Sequence, residues 1–138
     1  MSLQNALASA IYGTITSATA VTSLLAGTTS VYYMRAPDNA TLPYIVFNFQ
    51  AMPEPNESAH RVVNADALIK CYSGASALAA GSINVQVDPL FDAKILIITG
   101  WTNIRTERVE EVALVEEIPN GSPVWMSGGI YRISTEKT

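Results

Sequence analysis

Apolar residues recur at every fourth position at the start of the chain, Leu3, Leu7, Ile11 and Ile15, with Ala6 and Ala10 beside them. That spacing lays one stripe on one face of an α-helix, and Ser2 stands where a side-chain oxygen caps the first turn. A second helical pattern runs over 20–26, with Val21, Leu24 and Leu25 apolar and Gly27 placed to end it. Residues 31–34 read as a strand, Pro37, Asp38 and Asn39 as a turn, and 44–49 as a strand with Ile45, Phe47 and Phe49 on one face and Tyr44, Val46 and Asn48 on the other. Two prolines and two glutamates make 51–60 a loop, after which 62–72 returns as a strand. From 75 to 91, Ile83, Val87, Leu90 and Phe91 fall at helical spacing. A long strand over 101–115 and a P-N-G-S-P connection at 119–123 precede a last strand over 130–134. This order predicts an α+β fold in a single domain over residues 1–138, an antiparallel sheet of about four to five strands packed by N-terminal and central helices.

Composition narrows the reading. The 138 residues are 49% hydrophobic and 14% charged, which is apolar for a monomer and hints that other subunits cover part of the surface. A net charge of −4 with eight scattered basic residues excludes a protein that grips nucleic acid by neutralising phosphates. Residues 1–34 carry no charge, yet Ser and Thr interrupt every apolar run and no basic leader precedes them, so neither a membrane span nor a signal peptide is expected. The lone cysteine, Cys71, reads as a small buried hydrophobe in a reducing compartment.

Candidate chemistry is sparse. His60 is the only histidine and stands in the proline-rich loop; no Ser/His/Asp constellation, G-x-S-x-G elbow or phosphate loop accompanies it, so no enzyme, cofactor or metal is expected. The dense charge feature is the run Arg105, Glu107, Arg108, Glu110, Glu111, Glu116 and Glu117. As a strand over 104–112 it puts Arg105, Glu107, Val109 and Glu111 on one face and Ile104, Thr106, Arg108, Glu110 and Val112 on the other. Three readings stand open: an edge strand charged against aggregation, an intersubunit or channel-facing strand, and a weak divalent-cation site. Trp125 and Met126, in an expected loop over 119–129, either fold back onto the core or anchor a partner. Met52 and Pro53 in the 51–60 loop are candidates for the same docking role.

Along most of the chain, the residues resemble a phage family. The pieces are Leu3-Gln4-x-Ala6-Leu7, Leu24-Leu25-x-Gly27, Val31-Tyr32, Ala36-Pro37, Leu42 to Val46, Lys70 to Ser73, Arg105-x-x-Arg108-x-Glu110 and Tyr131 to Ile133. In that order they are similar to the small tail-terminator or tail-completion proteins of long-tailed phages and prophages. The resemblance implies a homo-oligomeric ring, commonly hexameric, in the neck region of the virion, made in the host cytoplasm. There it would stop tube polymerisation and join the major tail tube protein to the head–tail connector, while genomic DNA passes through without sequence-specific binding and no membrane is involved. Two other readings are a head–tail adaptor in the neck and a non-phage α+β binding module.

Overall fold

The computed structural model describes residues 2–51, 62–117 and 122–138. Helix α1 (Leu3–Thr16) begins where expected: the Ser2 hydroxyl accepts a hydrogen bond from the Asn5 N–H at 3.2 Å. Its Leu3, Leu7, Ile11 and Ile15 are buried. Helix α2 (Thr19–Thr22) is one turn rather than the pattern expected over 20–26. Thr19, Val21, Thr22 and Ser23 favour a helix weakly, and the following residues form turns in which Ala26 N–H reaches Pro43 O at 2.9 Å.

Strands β1 (Val31–Tyr33), β2 (Tyr44–Ala51), β3 (Val62–Ser73), β4 (Ile97–Ile98), β5 (Trp101–Glu117) and β6 (Pro123–Lys137) form one sheet in the order β1-β2-β3-β6-β5-β4. The sheet has six strands, not four to five, and it is antiparallel except where β1 runs parallel to β2. Helix α3 (Ala77–Phe91), capped by Ser76, lies with α1 on one face. Between these helices and the sheet sits the main core, where Leu7, Ile11 and Ile15 meet Ile45, Phe47, Ile69, Ile83, Val87, Phe91, Tyr131 and Ile133. The other face has no helix on it among the described residues. A smaller cluster of Val46, Tyr72, Val124 and Met126 forms there, with Tyr32, Ala36, Leu42, Tyr44 and Val112 around it.

The final strand differs most from expectation. It begins at Pro123, so Trp125 and Met126 lie in β6 and not in a loop. Gly128-Gly129 reads as a breaker in sequence but is a close-approach site here. A Cβ at Gly128 would collide with the Ile69 carbonyl of β3, and one at Gly129 would sit 2.8 Å from Arg108 Nε.

Candidate assembly surfaces

The charged strand is bent by two bulges. Register shifts occur between Asn103 and Arg105 and between Arg108 and Glu110, leaving Ile104 and Val109 as extra, exposed residues. The simple alternation expected over 104–112 therefore fails. Thr106 and Arg108 pair with the helix-side residues Ile133 and Tyr131, and Glu111 pairs with Gly129 on that same face. Glu110 moves to the bare face, where Arg105 and Glu107 also lie, joined by an exposed ion pair of 2.7 Å.

Arg108 is held inside the subunit rather than offered to a neighbour. Its side chain is 21% exposed and pairs with Asp88 at 3.2 Å. Its Nη2 donates to Asn84 Oδ1 and Gly128 O, both at 3.2 Å, and its guanidinium lies 5.7 Å from the Tyr131 ring centre. Tyr131 donates its hydroxyl proton to Asp88 at 3.0 Å, while Asn84 donates to Ser127 at 3.1 Å. Burial raises the Tyr131 phenol above its ordinary value, with Arg108 opposing. The network ties α3 to β5 and β6 across a surface where bare apolar contact would not fix the register. Arg108 Nε is buried without a hydrogen-bond partner.

Cys71 is buried as expected, and burial pushes its thiol up to about 12. Among the described residues, no group of three or more His, Cys, Asp or Glu is gathered to hold a metal ion. No helix among them is long and apolar enough to cross a membrane.

Of the expected docking residues, Met126 is 4% exposed within the small cluster of the bare face, so it is not a free anchor. Trp125 is half-buried, aligned with Ser73 on one side and exposed Val115 on the other. Met52, Pro53 and His60 lie outside the described residues.

The acidic run singled out in the sequence carries the net charge. Residues 109–124 contain four of the twelve acidic residues, Glu110, Glu111, Glu116 and Glu117, and no Lys or Arg. The eight acidic residues elsewhere balance the eight basic ones, so the whole net charge of −4 belongs to the far ends of β5 and β6. That ribbon also exposes Val109, Leu114 and Val115.

A single sheet covered on one face, with apolar residues and unbalanced charge gathered at one end, is the make-up of a structural subunit built to assemble. The chain belongs to the family of the tail completion protein gp17, whose model matches residues 9–114. It is a structural tail-completion component of a phage-type virion, and it assembles with other tail and head proteins. Its fold is similar to that of a chain in the virion of a native gene transfer agent particle, with a TM-score of 0.78, 14% identity and 98% of each chain covered. No curated protein matches the sequence.

Proposed function

We propose that residues 1–138 act as one tail-terminator unit that forms a ring, of six copies in the usual case, at the head-proximal end of the tail tube. The ring ends tube growth with one face and receives the head–tail connector with the other. The observation that carries this reading is the tail-completion family match across residues 9–114. The likeness to a chain of a gene transfer agent virion is in keeping with it. The role is structural, without catalysis or cofactor. The acidic ribbon suits a passage for DNA, because carboxylates repel phosphates and leave the genome free to slide.

A terminator must present two unlike faces, since a face that copies the tube would propagate it. Trp125, beside Val115 at the far end of the sheet, is the described residue best suited to such a contact, and Met52 and Pro53 are assigned to the same docking role. The test is assembly with Trp125→Ala. Virions should lose head attachment and carry overlong tubes, while the purified variant keeps its circular dichroism spectrum. Tails of normal length joined to heads would refute the docking role, and normal tails in the complete absence of the protein would refute the terminator reading. Heads that lack a neck on tails of normal length would point to the adaptor role instead.

A further inference from the structure

The two lateral edges of the sheet carry an inference about how one copy meets the next. On one side, β4 pairs only with Trp101 and Thr102 of β5. The turn after α3 occupies the next stretch, where Ala93 N–H donates to Thr106 O at 2.8 Å and Asp92 accepts from Arg108 N–H at 2.9 Å. From Val109 to Glu117, no described strand lies on the outer side of β5. On the other side, β1 is the edge. Ser30 O and Met34 N bond to β2, so the alternation of the ladder turns the N–H groups of Val31 and Tyr33 away from it. Tyr12, Tyr32, Tyr33 and Arg35 line a groove beside that edge.

The ladder puts these two open edges at one level. Val31 aligns with Ile45, then Cys71, Ser127 and Ala113 in successive strands. Tyr33 aligns in the same way with Phe47, Ile69, Gly129 and Glu111. The β1 edge over Val31–Tyr33 is therefore level with the β5 edge over Glu111–Ala113, and the two strands run in opposite directions. Strand direction and ladder register thus suit an antiparallel pair between the β5 edge of one copy and the β1 edge of the next, with the twist of the sheet contributing to the rotation between copies. Such a head-to-tail contact closes into a ring where that rotation closes.

Charge favours the same match. The β5 edge carries Glu110 and Glu111, with no Lys or Arg over residues 109–124 and with the neighbouring Arg108 engaged by Asp88 inside the subunit. Beside β1, Arg35 pairs among the described residues with Asp38, in an ion pair with both side chains exposed. Such a pair contributes little, so Arg35 is available to an incoming carboxylate. Met34 adjoins it with a φ of 69° and an exposed side chain, a backbone conformation that an unbranched non-glycine residue seldom adopts.

We propose that the free edge of β5, centred on Glu111–Ala113, pairs antiparallel with the β1 edge, Val31–Tyr33, of a second copy of this chain, with Arg35 of that copy facing Glu110 and Glu111. This contact deepens the ring reading above and rests on it. Main-chain hydrogen bonds supply adhesion, and the Arg35 contact sets the register.

The test combines disulfide trapping with mass measurement. Tyr32 aligns through the ladder with Val46, Lys70, Gly128 and Val112, so Tyr32→Cys and Val112→Cys proteins, mixed at high concentration and also incorporated into virions, should form a disulfide-linked dimer that neither forms alone. The double variant should give a ladder ending at the ring. Tyr32→Cys mixed with Glu107→Cys, which lies at another level, should link poorly. In the wild-type background, Arg35→Glu should weaken association about tenfold or more, and adding Glu111→Arg should restore it. A ring seen by native mass spectrometry or in virions, with no disulfide between the Tyr32→Cys and Val112→Cys positions, overturns this contact and leaves the ring reading intact. Absence of any ring in assembled virions overturns both.

Discussion

The two faces of the sheet differ in what protects them. On the helix side, α1 and α3 bury long aliphatic side chains against β2, β3 and β6, and the polar groups there are joined in the Arg108, Asp88, Asn84 and Tyr131 network. On the bare side, protection comes from four buried residues and a rim of tyrosines, beside charged pairs such as Arg132 with Asp66 at 2.9 Å. The hydrogen bond and charge of Asp66 raise the Arg132 guanidinium above its ordinary value. One face is finished within the subunit; the other is only tidied. Antiparallel sheets commonly carry one packed and one solvated face, so the contrast separates the face that stabilises the subunit from the face left open to contacts.

The largest expected effect breaks the covered face. Leu7 is fully buried under the sheet, and Leu7→Ala should cost about 2–5 kcal/mol in denaturant unfolding. A loss of less than about 0.5 kcal/mol, the range of surface changes, would mean the stripe does not form the core. On the bare face, Met126→Ala should cost less, about 1.5–3 kcal/mol, because its cluster can relax toward solvent. A loss equal to that of Leu7→Ala would erase the distinction between the faces.

The effect that is nil at neutral pH and appears only in alkali belongs to Cys71. Burial holds the Cys71 thiol protonated in the folded chain up to about 12, whereas the ordinary thiol releases its proton near 9.0. The folded value is the higher one, so the contribution is whole below pH 9.0 and is lost as pH rises from there toward 12. Over that window, wild type should lose stability relative to Cys71→Ala by about 1.4 kcal/mol per pH unit. Parallel stability curves would show that the thiol is open to solvent.

Much of the covered face was legible in the sequence. The four-residue spacing of α1, the cap at Ser2 and the alternation of Ile45, Phe47 and Phe49 are local patterns that also serve the tertiary contacts. What escaped local reading depends on strands distant in sequence. The P-N-G-S-P connection drew the expected loop out to 129, so Trp125 and Met126 were expected in a loop, and the close approach at Gly128-Gly129 shows only once β3 and Arg108 are brought beside it. The bulges at Ile104 and Val109 likewise leave no mark in the residue types, and they redirect Glu110 and Glu111. The two-residue edge strand β4 is held by a neighbour rather than by propensity, whereas β1 falls within the strand expected over 31–34. The docking role proposed for Met52, Pro53 and Trp125 is a matter of partners, which no pattern within one chain encodes.

The glycine pair in β6 also governs how this protein can diverge. Gly128 faces the Ile69 carbonyl, which cannot retreat without disrupting the ladder, and Gly129 faces a guanidinium pinned by Asp88 and Asn84. Neither position accepts even a methyl group without rearrangement, so both are closed to drift. A few residues away, Glu110, Glu111, Leu114 and Val115 stand in solvent, where exchange disturbs contacts with partners rather than packing within the subunit. Divergence is thereby steered outward: descendants can change what the ribbon recognises, one exposed side chain at a time, while the two immovable glycines preserve the strand spacing on which every such change is displayed.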